Sequence, residues 1–450
     1  MEDIVMDAAR RASEYLKQID LRAIRPEAAA LEALSQLDIP LQESPLPPEQ
    51  VLSELDEFGS PGTLLTSSPR FFGFVIGGSL PAALAANILA AAWDQNAGLR
   101  ITSPIGSILE DVASRWLLEI LNLPAVSGVG FVTGATMANF TCLAAARHAV
   151  LAAAGWDVEA NGLFHAPPVT VMVGEEVHVS VLKALGMLGF GRERVVRMPV
   201  DSQGGIRPDS LPEISGPLIV CLQAGNVNTG AFDPFGEIIP KVRGENTWVH
   251  VDGAFGLWAA ADPQRSHLLQ GCQLADSWAT DAHKWLNVPY DSGVAFIRQA
   301  ENLRQAMSSR AAYLVMSEER EPHEYGPEFS RRARGIEIWA ALRSLGRQGL
   351  AEMIQRNCRC AQLFAEGLRQ AGYSVLNEVN LNQVLVSFGN PEATRRAIRL
   401  VQEEGTAWCG GTTWQGHTAM RISVSNWATS EQDVERCLEV FVRLARQAGA

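Results

Sequence analysis

Nowhere in the sequence are two cysteines separated by two residues. Seven cysteines are scattered through the chain, at 142, 221, 272, 358, 360, 409 and 437, an odd number. Cys358 and Cys360 form a lone C-x-C on a predicted helix, which is not a zinc spacing. No metal site and no disulfide framework is expected, and free thiols fit a reducing cytoplasm. Long apolar runs are missing too. The longest, "LPAALAANILAAAW" at residues 80–93, is too short to cross a bilayer and Ala-rich enough to predict a buried helix. The N-terminal "MEDIVMDAARRASEYLKQID" lacks the basic start and apolar core of a signal peptide. No membrane partner is expected. Positive charge is the third shortage: 37 Lys and Arg against 50 Asp and Glu give a net charge of −13. A phosphate-backbone binder should be basic, so nucleic acid is excluded as a general partner.

What is present is core material. Of 450 residues, 47% are hydrophobic and 19% charged, which excludes large-scale disorder. Residues 1–60 read as a helical arm with a Pro-rich break at "ESPLPPEQ", packed on another domain or subunit. From residue 61 to about 320, apolar β-prone runs alternate with helical stretches: "SGVGFVTGAT", "VTVMVGEEV", "PLIVCLQAG", "TWVHVDGAF", "LADSWATDA" and "SGVAFIR". That alternation predicts an α/β domain with a mainly parallel sheet covered on both faces. Residues 308–332 are charged and aperiodic and read as a long loop of the kind that closes or lines a site. A long helix is predicted from Ile336 to Gln370. "SVLNEVNLNQVLVSFG", a helix, "MRISVSNW" and a last amphipathic helix complete a small α+β domain, 321–450.

In open parallel sheets ligands bind at the carboxyl ends of strands, so the residues that carry chemistry are expected there. "WVHVDGAFG" is an apolar strand that ends on Asp252, followed by small residues that let a flat ligand approach the backbone. Lys284, in "SWATDAHKWLNVPYDSG", stands beyond a second strand, between a histidine and an apolar "WL". Lysine is seldom buried without a partner. Asp and Lys at neighbouring strand ends suit pyridoxal phosphate: the lysine forms a Schiff base, and the acid pairs with the protonated pyridine nitrogen. "FVTGATMANF" offers Gly134, Ala135 and Thr136 between a strand and an Ala-rich helix, where amides and the helix dipole favour a phosphate. The same residues would make an ordinary helix cap. His178, after a strand and at a helix start, reads either as a ring-stacking imidazole or as a helix cap. His283 would reach the phosphate or cap a turn.

Together "TGATMAN", "VHVSVLKALG", "HVDGAFG" and "TDAHKWLNVPYDSG" resemble the pyridoxal-phosphate-dependent group II amino-acid decarboxylases. That family includes aromatic-amino-acid, glutamate, histidine and diaminobutyrate decarboxylases. The motifs stand in the family order across residues 70–430. The resemblance implies the type I, aspartate-aminotransferase-like fold, with a seven-stranded, mainly parallel sheet in the large domain, and a homodimer with sites at the subunit interface. It implies Lys284 as the Schiff-base lysine, Asp252 on the pyridine nitrogen, Ala254 against the ring and His178 stacked on its other face. Ala135 and Thr136 would bind phosphate, with His283 helping. The chain departs from the family in two places. Asn226, Val227 and Asn228 replace threonines, so no cofactor role is assigned to them. Asp281 stands where asparagine is frequent, and a carboxylate there is expected to point away from the phosphate.

The resemblance further implies decarboxylation of an L-amino acid to an amine and CO2, provided the pocket holds the Cα–carboxylate bond perpendicular to the ring. A loop tyrosine is the family's usual proton donor. Tyr313 and Tyr325, two of five tyrosines, lie in the charged loop, and Tyr325 is preferred; His178 and Lys284 are alternatives. Arg332, Arg334 and Arg421 are candidates for a substrate carboxylate or for ordinary ion pairs. Asn96 and Gly98 would shape the pocket, which leaves aromatic and small polar substrates equally open. Two other readings stand beside this one. The same cofactor serves carbon–carbon lyases, aldehyde-forming deaminases and aminotransferases, and a non-catalytic homologue would act by association.

Overall fold

The computed structural model describes residues 1–213, 215–308 and 319–449. The chain divides into two compact units. One holds Ser79–Gln362 and Asn377–Val384; the other holds Met1–Gly78, Leu363–Leu376 and Leu385–Ala450.

The first unit is built on seven strands: β1 (Gly128–Val132), β2 (Thr170–Gly174), β3 (Val196–Met198), β4 (Leu218–Gln223), β5 (Thr247–Asp252), β6 (Ser277–Asp281) and β7 (Gly293–Ile297). Their order is β1-β7-β6-β5-β4-β2-β3. Only β7 runs against its neighbours, pairing antiparallel with both β1 and β6. The mainly parallel sheet predicted from the apolar runs is therefore present. β1, β6 and β7 are buried at every position, as strands covered on both faces must be.

The helix Ala135–Ala153 packs across β5, β6 and β7. Its alanines let it lie close to the sheet, and Ala138, Cys142, Leu143, Ala145 and Ala146 join the core with Val132, Ala279 and Ala295. The Ala-rich run forms the helix Pro81–Trp93, but only Ala83 in it is buried. Ile88, Leu89 and Trp93 are exposed, contrary to the expectation of a buried helix. A helix apolar on all sides can press only one side against a single unit. The expected long helix is also interrupted: within Gly335–Gln370, Gly346 adopts a φ of +61° and breaks the helical path.

The second unit carries β8 (Ser374–Val375), β9 (Gln383–Ser387), β10 (Gly410–Trp414) and β11 (His417–Ser423), in the order β10-β11-β9-β8. β10 has no counterpart in the sequence reading, because "GGTTW" has almost no apolar content. In this unit the N-terminal arm is tied in by Ile24, whose amide donates to the Gly405 carbonyl and whose side chain is fully buried with Leu65 and Phe71.

All seven cysteines are buried and none forms a disulfide. Burial pushes the thiols of Cys142, Cys221 and Cys409 up, and those of Cys272, Cys358 and Cys437 up to about 12. Low thiolate content and poor access both slow alkylation. A thiol reagent at neutral pH is expected to modify none of the seven in the native protein and all of them in denaturant. Rapid stoichiometric labelling of the native protein would contradict this burial pattern.

Candidate active site

The loop between β6 and β7 explains how a lysine comes to stand beside "WL". Trp285 and Leu286 are fully buried, and the Trp285 indole N–H donates to Asn357 Oδ1 at 2.9 Å. Truncating a tryptophan so buried costs about 3–5 kcal/mol. Asn287 takes a left-handed φ of +56°, and its side-chain Nδ2 donates to the Trp285 carbonyl at 2.8 Å. At the other end, the amides of Ala282 and His283 both donate to the Ser292 carbonyl. The anchors on both sides hold the backbone, and the Lys284 side chain projects from between them. Its Nζ lies 2.9 Å from Asp281 Oδ2.

Asp281 thus does not point away. It is buried, and its Oδ1 accepts from the Ala135 amide at 2.5 Å. The amides of a helix's first turn have no partner within the helix, and their partial positive charge attracts a carboxylate. His283 is next to it. Its Nδ1 accepts from the Ser292 amide at 3.1 Å, so in the neutral ring Nε2 carries the proton and faces Asp281 Oδ1 at 3.3 Å. Burial lowers the His283 pKa, opposed by the Asp281 charge. Tyr290, overlooked in the sequence, stacks on His283 with ring centroids 4.2 Å apart.

A second cluster surrounds Asp252, at the end of β5 and paired across to Ala279 of β6. Asp252 Oδ1 accepts from the Ala254 amide at 3.1 Å, and Oδ2 accepts from Asn139 Nδ2 at 3.2 Å. Asn139, in the quoted "TGATMAN", was given no role by the sequence reading, yet it joins the cluster together. Its Nδ2 also donates to Ser180 Oγ, and Ser180 Oγ lies 2.7 Å from His178 Nδ1. His178 is the N-cap of the helix Val179–Met187, its Nδ1 accepting from the Ser180 amide. The cap reading therefore holds, and the same contact links the ring to Asp252 through Ser180 and Asn139.

Behind Asn139 sits His250, fully buried, its pKa lowered to about 3 by burial. Neutral at ordinary pH, it has one donor and one acceptor. Nε2 lies 2.9 Å from Asn139 Oδ1 and so carries the proton; Nδ1 accepts from the Ser277 hydroxyl at 2.9 Å. Ser277 in turn accepts from the Trp248 indole at 2.8 Å. The direction of every bond is set, from Trp248 through Ser277, His250 and Asn139 to Asp252.

These residues fit pyridoxal phosphate. The start of the Ala135–Ala153 helix supplies amides and the Thr136 hydroxyl for a phosphate. The buried Ser292 hydroxyl beside His283 has no hydrogen-bond partner of its own. Backbone approach is close here: a Cβ on Gly293 would lie 2.4 Å from Gly134 Cα, and one on Gly134 would lie 3.0 Å from His283 Cε1. Lys284, Asp252, Ala254 and His178 stand at strand ends or just beyond them, as expected.

Other candidates are placed differently. The Tyr325 ring lies under the Arg320 guanidinium at 4.4 Å, and its carbonyl abuts Gly130 in the middle of β1, so its contacts are with the sheet edge. Tyr313 lies outside the described residues. Asn96 accepts from the Gly98 and Arg331 amides, and Gly98 lets the Phe329 carbonyl approach, so both hold the 329–331 segment. Arg334 bonds Asp291 at 2.9 Å and Glu328 at 3.1 Å, and Arg332 pairs with Glu337. Arg421, in the other unit, donates to the Phe74 carbonyl, and burial lowers its pKa to about 10. The Asn226 side chain caps its own loop, accepting from the amides of Asn228 and Thr229.

Known proteins resemble this chain in sequence and in fold. The family described as the pyridoxal-dependent decarboxylase conserved domain matches residues 31–389. An aromatic-L-amino-acid decarboxylase of Bacillus atrophaeus is 26% identical over 84% of this chain and 82% of its own length. An L-2,4-diaminobutyrate decarboxylase of Rhizobium meliloti is 27% identical over 81% of this chain and 75% of its own. A crystal structure of Oryza sativa TDC with PLP and tryptamine superposes with a TM-score of 0.90 at 23% identity, covering 99% of this chain and 97% of that one. The last is a likeness of fold.

The His250 chain makes stability pH-dependent. In the window from about 6.5 down to about 3, the unfolded chain takes up a proton that folded His250 refuses. Unfolding free energy is expected to fall as pH drops through that window. His250→Gln should be less stable at neutral pH but show a shallower slope there, read by denaturant titration at several pH values. An identical slope would remove His250 as the cause.

Proposed function

The chain belongs to the pyridoxal-dependent decarboxylases, amino-acid carboxy-lyases that use pyridoxal phosphate, and on that premise we propose that it converts an L-amino acid to its amine and CO2 with Lys284 holding the cofactor. The observation that carries the reading is the pair of strand ends: Asp252 closes β5, and Lys284 follows the end of neighbouring β6. Pyridoxal phosphate, when bound, supplies a cationic ring that accepts the electron pair left by departing CO2.

The protein's own groups do the rest. Lys284 would supply the amine that holds the cofactor aldehyde. Asp252, oriented by Asn139 and Ala254, would pair with the ring nitrogen and hold a proton there. His178, held by its Nδ1 contact with Ser180, would present its imidazole to the ring face. Gly134, Ala135, Thr136 and His283 would hold the phosphate, and Ala254 would lie against the ring. Proton return to Cα is assigned to Tyr325, whose ring lies under the Arg320 guanidinium, with His178 and Lys284 as the alternatives.

A homodimer with shared sites is part of the proposal. Ile88, Leu89, Trp93, Ile101, Ile105 and Ile108 are all exposed on one unit, more large apolar surface than scattered residues account for. The proposal divides the chain by role into the arm 1–60, the cofactor domain 61–320 and the small domain 321–450, a division that cuts across the two compact units. A reducing cytoplasm is the proposed location, from seven thiols without a disulfide. Among the described residues no helix is long and apolar enough to cross a membrane.

Purified protein is expected to be yellow with bound cofactor and Lys284→Ala to lose the visible band, while CO2 release across the twenty amino acids identifies the substrate. Colourless protein that takes up no added cofactor would overturn the proposal. Dilution to monomer, followed by sedimentation, should cost cofactor and activity together. A stable, fully active monomer would sink the shared site.

A further inference from the structure

We propose that Asp281 is the resting occupant of the phosphate cradle and sets how strongly this chain prefers a phosphate-bearing cofactor. The inference rests on the cofactor reading above and deepens it at one residue.

The Asp281 backbone is locked. Its amide donates to the Ala254 carbonyl at 2.9 Å, and its carbonyl accepts from the Trp258 indole at 3.0 Å. Only the side chain is free to answer its surroundings. That side chain meets three donors: the Ala135 amide at 2.5 Å, Lys284 Nζ at 2.9 Å and His283 Nε2 at 3.3 Å. A helix-start amide, an ammonium and an imidazole N–H are the groups a phosphate would recruit at this place. Gly134 makes room for the carboxylate, since a Cβ there would stand 3.2 Å from Asp281 Oδ1.

An arriving phosphate must either displace the carboxylate from Ala135 or share donors with a second anion at close range. Both weaken phosphate binding, because like charges a few ångströms apart in a buried site repel. In the absence of cofactor the same carboxylate does useful structural work. It joins the start of the Ala135–Ala153 helix to the lysine loop and neutralises Lys284. A neutral amide at 281 would still accept from Ala135 but would carry no charge. The substitution should therefore act in opposite directions on the two forms of the protein, loosening the cofactor-free form and strengthening the hold on phosphate.

The test compares pyridoxal 5′-phosphate with pyridoxal, which lacks the phosphate but offers Lys284 the same aldehyde. Affinities for both are read from quenching of tryptophan fluorescence in the full chain and in Asp281→Asn. Thermal unfolding of both cofactor-free proteins is recorded alongside. The preference for the phosphorylated compound is expected to rise about tenfold or more in Asp281→Asn, while its cofactor-free form melts at a lower temperature. Should the asparagine variant not fold, Asp281→Ser removes the same charge and takes the same measurement. A preference unchanged or diminished overturns the proposal. If neither compound binds even the unaltered chain, the cofactor reading itself falls.

Discussion

A carboxylate at the end of a strand covered on both faces must be surrounded by donors, and Asp252 imposes that demand on everything near it. The residue is 4% exposed. A buried polar group without partners costs about 1–3 kcal/mol, and more when charged. The demand is met by Ala254 on one oxygen and Asn139 on the other. Asn139 can donate to Asp252 only if its own carbonyl finds a donor, and His250 supplies it. His250 can do so only as the Nε2–H tautomer, which the Ser277 hydroxyl fixes from the other side. One buried acid thus dictates the state of four other side chains, out to Trp248, across three elements.

The lysine loop obeys a complementary logic. Lys284 is not held by its own burial but by the burial of its neighbours. Trp285 and Leu286 sit in the core as apolar anchors, and the Asn357 and Ser292 contacts fix the loop at both ends. The ammonium then meets Asp281 with little conformational freedom left to lose. The two clusters, one at the end of β5 and one beyond β6, are brought side by side by parallel pairing of adjacent strands. A one-residue slip in that pairing would turn Asp252 to the other face of the sheet.

Much of this was legible in the residues. Apolar runs of five or six gave strand positions, because a strand buried on both faces needs an unbroken apolar sequence. The strand-end residues Asp252 and Lys284 stood out because charge is rare in such runs. β10 escaped notice for the converse reason: two glycines and two threonines carry no burial signal. The Pro81–Trp93 helix was legible as a helix but not in its exposure, since composition does not say which side of an all-apolar helix faces a neighbour.

By itself, then, the order of residues determined the sheet, the strand ends and the candidate lysine, acid and histidines, because these depend on local hydrophobic pattern and on motif spacing. Tertiary structure decided the rest. Asn139 looked like one polar residue in an alanine-rich helix until the fold set it between His250 and Asp252, residues 111 and 113 positions away. Tyr325 lies in the expected loop in sequence, and only the fold shows its ring against Arg320 and its carbonyl against β1. Asp281 was expected to turn away from an anion site, but the helix amide, the lysine and the histidine around it favour a carboxylate directed inward. Hydrogen-bond direction and charge balance arise from contacts between residues distant in the chain, and no local pattern encodes them.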